Sequence, residues 1–190
     1  MKHFIFGLFF LIIATGAAHA TAVVHWEAGN RWYERVETGF APTWEAAQVF
    51  ASVRGGYLAS ITSVEENNFI WGNLHPAFPR PWTDIQFYWL GGYRDGGDWM
   101  WDSGEDWDYE RWWSSYEDTD DTPYLRYSGY SLSGYWDDAA NGHTVGGTAM
   151  KGYIVEYESN PNGGPIPEPT TAASLLMGLL ALGGVTRRRE

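Results

Sequence analysis

The chain contains no cysteine, so its fold has to hold together without a disulfide bond. Its first residues, MKHFIFGLFFLIIATGAAHA, place Lys2 before an apolar stretch and end in Ala18-His19-Ala20, the small-x-small pattern that signal peptidase accepts. The apolar stretch is shorter than the ~20 residues that cross a bilayer, which disfavours a membrane anchor. We therefore expect an export signal cleaved after Ala20. Exported domains commonly use disulfides, so the 12 tryptophans have to compensate by burying apolar area.

The charge balance excludes some classes of partner. The chain has 24 acidic and 12 basic residues and a net charge of -12, and four of the basic residues, Lys2 and Arg187–Arg189, lie near the termini. An acidic surface repels nucleic acid and anionic membranes, so we expect no nucleic-acid partner. The charge balance does not exclude divalent cations or neutral molecules as ligands.

Two amphipathic helices are predicted in the first half of the chain. The segment PTWEAAQVFASVRGG has Thr43 as its N-cap and is expected to stop at Gly55. The segment LASITSVEENNFIWGNL turns from a short strand into a helix, with Ser63 and Glu66 at the spacing of a capping box. The residues expected on the buried faces of these helices are Trp44, Ala47, Ala51, Ile70 and Leu74.

Short strands rich in aromatic residues are predicted at four places. Their sequences are RWYERVE (31–37), FYWLGGY (87–93), DWMWD (98–102) and KGYIVEYE (151–158). The alternation in the last strand places Tyr153, Val155 and Tyr157 on one face. Residues 104–152 show little periodicity, and a segment of this length within one domain is expected to be a functional loop region.

Six carboxylates in this loop region form the candidate site. They are Glu117, Asp118, Asp120 and Asp121 in YEDTDD and Asp137 and Asp138 in YWDDAANG. Folded together they would make a cage of oxygen atoms suited to Ca²⁺, which takes about 6–8 oxygen ligands. Two alternatives stay open, a solvated acidic surface and a carboxylate pair for glycoside hydrolysis. No cysteine nucleophile, Walker loop or His-Glu-x-x-His motif is present, so we expect a protein that is not an enzyme.

The order of these segments resembles the C-type lectin-like domain over residues 31–158. The shared motifs are a helix followed by Gly-Gly-x-Leu-x-x-Ile, the strand Trp-Leu-Gly-Gly and the closing GYIVEYE. The resemblance implies an α+β, C-type lectin-like fold with two helices flanking small antiparallel sheets and a long irregular loop that carries the ligand site.

The resemblance also implies positions where family members have two disulfide bonds. This chain has Ala51 and Val155 at the positions of the core pair, and the loop-side pair falls near Tyr124 and Asn141. We therefore expect Ala51 and Val155 to lie in contact in the core.

Sugar-binding members of the family carry Glu-Pro-Asn or Gln-Pro-Asp in the long loop and Trp-Asn-Asp before the last strand. Residues 117–119 and 136–138 fall near these motifs, with Trp136 expected in the core. The resemblance therefore implies Ca²⁺ as the cofactor and a ligand site formed by Glu117, Asp118, Thr119, Asp137 and Asp138. The proline of the first motif is absent, which leaves the class of sugar open.

The C-terminal segment combines Pro167, Glu168 and Pro169, an apolar run at 172–185, and Arg187, Arg188 and Arg189. This combination resembles the PEP-CTERM sorting signal of Gram-negative bacteria that make extracellular polysaccharide. As a helix the run would span ~21 Å against a hydrocarbon core of ~30 Å, which is marginal for a permanent anchor. The resemblance implies transient inner-membrane contact and then removal by an exosortase-type enzyme. A tail that remains as an anchor is the alternative.

These predictions combine into one domain organisation. We expect a signal peptide at 1–20, a lectin-like domain at 21–158, a Pro/Gly linker with the PEP motif at 159–169 and a sorting segment at 170–190. The expected function is non-enzymatic carbohydrate binding at the cell surface or in an exopolysaccharide matrix. The alternatives are a structural or protein-binding matrix domain and, third, a glycan hydrolase.

Overall fold

The computed structural model describes residues 19–20, 22–75, 85–113, 122–129, 133–142 and 150–163. The export signal up to residue 18, the acidic stretch at 117–121, the PEP motif and the sorting segment lie outside the described residues. The predictions for those segments therefore stay predictions. Within the ranges just given, no helix is long and apolar enough to cross a membrane.

Both predicted helices form where their capping residues place them. Helix α1 (Trp44–Val53) begins after Thr43, whose hydroxyl accepts a hydrogen bond from the backbone N–H of Ala46 at 3.2 Å. Helix α2 (Val64–Leu74) begins after Ser63, whose hydroxyl accepts from Glu66 N–H at 3.2 Å. The residues predicted for the buried faces are all buried: Trp44, Ala47, Ala51, Ile70 and Leu74.

The carboxylate of Glu66 does not complete the predicted capping box. It accepts hydrogen bonds from the backbone N–H and the hydroxyl of Thr62, at 2.7 and 3.1 Å, and from the hydroxyl of Tyr33. Glu66 is buried, and this burial raises the pKa of its carboxyl group. Glu66 therefore connects α2 to Tyr33, which is distant in the sequence. The spacing of residues within the helix could not predict this contact.

Nine strands form one connected sheet in the described part of the chain. They are β1 (His19–Ala20), β2 (Val24–Trp26), β3 (Arg31–Glu37), β4 (Tyr57–Leu58), β5 (Phe87–Asp95), β6 (Asp98–Trp101), β7 (Tyr124–Tyr127), β8 (Trp136–Ala139) and β9 (Met150–Tyr157). The main order is β1-β3-β9-β5-β7-β8, with β2 on β3, β4 on β9 and β6 on β5. The predicted α+β fold with two helices is confirmed. The strands, expected in small antiparallel sheets, are joined through one parallel pair, β5 with β9.

Strand β9 separates two hydrophobic cores. The α1 core contains Val36, Trp44, Ala47, Ala51, Leu58, Phe87, Trp89, Ala139, Met150, Tyr153, Val155 and Tyr157. The α2 core contains Tyr33, Ala59, Ile61, Ile70, Leu74, Tyr88, Leu90, Trp101, Leu125, Tyr127, Trp136 and Ile154. The predicted alternation of Tyr153, Val155 and Tyr157 is confirmed, and Ile154 on the opposite face is also buried. Both faces of β9 therefore contribute to folding.

Strands β7 and β8 were not predicted, because we expected residues 104–152 to be irregular. Each strand has four residues, too few for an alternating pattern to stand out. The buried side chain of Asn67 on α2 connects this hairpin to the rest of the domain. Its amide donates to Gly134 O at 3.1 Å, and its oxygen accepts from Tyr127 and from Trp136 Nε1 at 3.2 and 3.0 Å.

We predict that a disulfide will form between Ala51→Cys and Val155→Cys. Both residues are fully buried in the α1 core, and the chain has no other thiol to compete. A disulfide of this kind stabilises a domain by about 2–4 kcal/mol. Intact mass before and after reduction, together with thermal melting, checks this prediction.

The matched control is Val53→Cys with Val155→Cys. Val53 lies on the same helix but is 82% exposed, so this pair should stay reduced. Two free thiols in the oxidised Ala51/Val155 variant would contradict contact between α1 and β9 at these positions, since a bridge requires Cα atoms within about 7 Å.

Candidate functional site

Two of the six predicted metal ligands lie in the part of the chain that the structure describes. Asp137 and Asp138 are neighbours on β8 and are 3% and 7% exposed, so they do not belong to a solvated surface. The other predicted site residues lie outside the described residues: Glu117, Asp118, Thr119, Asp120 and Asp121.

Asp137 forms a buried ion pair with Arg126 of the adjacent strand β7. Arg126 Nε lies 2.6 Å from Oδ1 of Asp137, and Arg126 Nη2 lies 3.4 Å from Oδ2. The guanidinium group also lies over the ring of Phe87, with its Cζ 3.9 Å from the ring centroid. Burial raises the pKa of Asp137, and the charge of Arg126 acts in the opposite direction. Asp137 thus has a counter-charge within the protein, and its role as a calcium ligand stays a prediction.

Asp138 lies beside the residue that follows the first predicted acidic stretch. Its Oδ2 accepts a hydrogen bond from the hydroxyl of Thr122, and Thr122 directly follows residues 117–121 in the sequence. This contact joins β8 to the chain just after the first stretch.

A carboxylate on α1 occupies the place implied for the loop-side disulfide. Glu45 accepts hydrogen bonds from the hydroxyl of Tyr124 and, at 2.7 Å, from the side-chain amide of Asn141. Partial burial opposes ionisation, but the hydrogen bonds, that of Tyr124 first, lower the pKa of Glu45. The hydrogen bond to Glu45 raises the pKa of Tyr124 to about 12. These polar contacts connect the two positions near which family members have cysteines.

Tryptophan rings fix the segment that leads into the acidic stretch. Residues 104–113 are largely irregular, but the ring of Trp107 lies 4.4 Å from that of Trp101 and 5.5 Å from that of Trp99, between centroids. The backbone N–H of Trp113 donates to Trp136 O at 2.9 Å. Trp136 is fully buried, as we expected. The base of the loop region is therefore held by aromatic packing rather than by regular secondary structure.

The described ranges contain no group of three or more His, Asp or Glu side chains arranged to hold a metal ion. The predicted Ca²⁺ site therefore stays a prediction that rests on the carboxylates of residues 117–121 together with those of Asp137 and Asp138. An open groove of about 400 Å³ lies elsewhere, beside α1. It is lined by Gln48, Val49, Ser52, Val53, Gly56, Tyr57 and Asp102, none of which is a predicted site residue.

The sequence interpretation missed one further carboxylate, Glu156 on β9. Alternation along this strand places Glu156 opposite to Val155 and Tyr157, on the face that would be solvated in a sheet with one buried side. The residue is 1% exposed, because the face that carries Ile154 is covered as well. The apolar neighbour Ile154 was the one signal in the sequence for this burial.

Comparison with known proteins identifies the family of this domain. The family model of the Lectin C-type domain matches residues 41–143, more than half of the chain. The chain is 35% identical over 66 residues to the secretory phospholipase A2 receptor of Oryctolagus cuniculus, which is 33% of this chain and 4% of the receptor. The chain belongs to the C-type lectin domain family, and it spans a small fraction of the length of this receptor.

Solved structures have the same fold. The cow C-type carbohydrate-recognition domain of CD23, determined in the presence of a GlcNAc2Man3 oligosaccharide, is 20% identical with a TM-score of 0.56 and covers 73% of this chain and 95% of its own. SPL-2 from Saxidomus purpuratus, a Ca²⁺-independent C-type lectin, is 20% identical with a TM-score of 0.55 and covers 68% of this chain and 88% of its own. At this identity the likeness shows the fold alone.

We predict that Asp137→Ala will lower the free energy of unfolding by about 3–5 kcal/mol, because it leaves the buried charge of Arg126 without a partner. The cost should be the same in calcium and in chelator. Denaturant unfolding of the variant, with the exposed Asp108→Ala as the matched control, checks this prediction. A cost that is large in calcium and small in chelator would instead make Asp137 a metal ligand.

Proposed function

We propose that this protein is a non-enzymatic carbohydrate-binding domain. Its ligand site is formed by the loop region around residues 117–121 and by Asp138 on β8. The observation that carries the proposal is the contact between Asp138 and Thr122, because Thr122 directly follows the first acidic stretch in a domain of the C-type lectin family. The GlcNAc2Man3 oligosaccharide present with the related CD23 domain supports a glycan as the class of ligand.

The support for this site also comes from how its flanks are held. Tyr124 and Asn141 are joined through Glu45, and the segment before the loop is packed through Trp101 and Trp107. Pre-ordered flanks reduce the entropy that a loop loses when it binds a ligand. A polar and partly charged loop region on a rigid base suits a sugar, whose hydroxyl groups require many hydrogen-bond partners.

Calcium is the cofactor that we propose for this site. Glu117, Asp118, Asp120 and Asp121 would supply oxygen ligands with Asp138, and the cation would relieve the repulsion between these like charges. The ion pair of Asp137 with Arg126 leaves Asp138 as the ligand on β8. The alternative is sugar binding without calcium, which is favoured by the structural likeness to SPL-2, a Ca²⁺-independent lectin.

We predict that Asp138→Asn will weaken glycan binding by at least about tenfold, because it removes the charge that would hold calcium while keeping the shape of the side chain. A glycan array run in calcium and again in chelator, with the intact chain, measures this effect. Asp108→Asn is the matched control, since Asp108 is an exposed carboxylate outside the two acidic stretches.

Each result of the array selects one function. Binding that disappears in chelator and in Asp138→Asn supports the calcium-dependent lectin. Binding that survives chelator and the substitution overturns the role of calcium but keeps that of sugar. No binding to any glycan favours a structural or protein-binding matrix domain. Release of free sugar from the array would indicate the glycan hydrolase.

We also propose that the protein is exported and sorted to the cell surface or extracellular matrix of a Gram-negative bacterium. The support is the signal-like N-terminus, the PEP motif at 167–169 and the apolar run before Arg187–Arg189. The domain would be tethered briefly at the inner membrane before an exosortase-type enzyme removes the tail. Strand β1, which pairs with β3, would be lost if signal peptidase cleaves after Ala20.

We predict that the mature protein begins at or near Thr21 and lacks the three C-terminal arginines. Intact-mass analysis of the extracellular protein from its native host measures both ends. A variant with Pro167→Ala and Pro169→Ala should retain the tail and stay with the membrane fraction. Recovery of Arg187–Arg189 on the extracellular protein would contradict the sorting proposal.

A further inference from the structure

A buried carboxylate network lies on the α2 side of the sheet, separate from the predicted ligand site. Glu156 on β9 lies opposite both Tyr33 of β3 and Tyr57 of β4 in the strand register. Its Oε1 accepts from the hydroxyl of Tyr57 at 3.1 Å and lies 3.2 Å from Nε of Arg31. Its Oε2 accepts from the backbone N–H of Ser60 at 3.1 Å. Both carboxylate oxygens are therefore engaged.

The network closes into a ring through a second glutamate. The hydroxyls of Ser60 and Ser103 lie 2.6 Å apart, and Ser103 donates to Glu105 Oε2 at 3.2 Å. The other oxygen of Glu105 lies 3.9 Å from Nη2 of Arg31, which also contacts Glu156 through Nε. One arginine thus lies between two carboxylates. We call this ring the Glu156 network: Arg31, Tyr57, Ser60, Ser103, Glu105 and Glu156.

The charged and titratable groups around Glu156 come from every element packed against it. They are Arg31 and Tyr33 on β3, Tyr57 on β4, Glu66 on α2, and Glu105 after β6. Two of these are carboxylates besides Glu156 itself. Arg31 is the cation that the structure places in contact with Glu156. When Glu156 is ionised, its repulsion by Glu105 and Glu66 acts across a region with little water.

We propose that the Glu156 network is a pH-sensitive lock, in which a proton held by Glu156 keeps the segment that begins at Glu105 against β9 and α2. Ionisation of Glu156 leaves the single guanidinium group of Arg31 to neutralise both Glu156 and Glu105, while Glu66 repels Glu156. The uncompensated negative charge loosens this segment. The segment continues through Trp107 to the base of the loop region. This inference does not depend on sugar binding, and its test needs no ligand.

The direction of the pH effect follows from the pKa of Glu156. Burial first, and then the charges of Glu105 and Glu66, raise this pKa from 4.5 to about 8. A raised pKa in the folded state means that folding takes up a proton. The stabilisation is therefore complete below pH 4.5 and is lost as the pH rises to about 8. The equilibrium constant for unfolding should rise by up to ~10-fold per pH unit in this window.

Denaturant unfolding of the intact chain across this pH window, with chelator in every buffer, tests the lock. Glu156→Gln keeps the shape of the protonated acid but cannot lose a proton. In this variant the rise of up to ~10-fold per pH unit in the equilibrium constant for unfolding should be absent. Glu105→Gln is the sharper variant, because Glu105 is one-third exposed and its replacement leaves the core intact. It removes a charge that raises the pKa of Glu156, so the loss of stability should move to lower pH. The exposed Glu158→Gln is the matched control and should behave as the wild type.

Hydrogen exchange gives a second measurement on the native protein. The amides of residues 104–113 should exchange faster above pH 8, after correction for the intrinsic rate, while those of α1 should not. Wild-type pH slopes in both Glu156→Gln and Glu105→Gln would overturn the proposal. So would restoration of stability at alkaline pH in the wild type but not in Glu156→Gln, in a parallel series with calcium in place of chelator, because a cation rather than a proton would then close the network.

Discussion

The fold depends on the pairing of β9 with three other strands. It is hydrogen-bonded to β3, β4 and, in parallel, to β5, so it lies inside the sheet with a core on each face. Gly56 allows the close approach of β4, because a Cβ atom there would lie 2.3 Å from the backbone oxygen of Glu156. Burial of both faces contributes apolar area from Ile154 and Val155 at once. The same arrangement forces Glu156 into the interior, where its charge is costly.

The absence of cysteine is accommodated by two different kinds of contact. At the core position, Ala51 and Val155 are apolar and belong to the α1 core. At the loop-side position, Glu45 receives hydrogen bonds from Tyr124 and Asn141 and so joins α1 to the loop strands. A hydrogen bond to an ionised group contributes more than a neutral one, but it does not restrict the unfolded chain as a disulfide does. The protein thus depends on its folded-state contacts for stability.

The sequence predicted the helices to within a residue or two because their signals are local. Thr43 and Ser63 cap the helices through atoms three residues away, and the spacing of Ile70 and Leu74 repeats with the helix period. The strands of the loop region and the partners of Glu66 could not be predicted in this way. Tyr33 is 33 residues from Glu66, and Asn67 contacts Trp136 across 69 residues. Contacts of that separation depend on the whole fold rather than on any local pattern.

The candidate site shows the same division between local pattern and fold. Asp137 and Asp138 are adjacent in the sequence and were both predicted to be ligands. In the structure Asp137 pairs with Arg126 of the neighbouring strand β7, whereas Asp138 accepts a hydrogen bond from Thr122. Removing either member of the buried pair would leave a charge in the core, so Arg126 and Asp137 depend on each other for their contribution to stability. Asp138 has no such ionic partner among the contacts of the described residues, and it accepts a hydrogen bond from Thr122 instead. The carboxylate of Asp138 is therefore the one on β8 that remains for the proposed site.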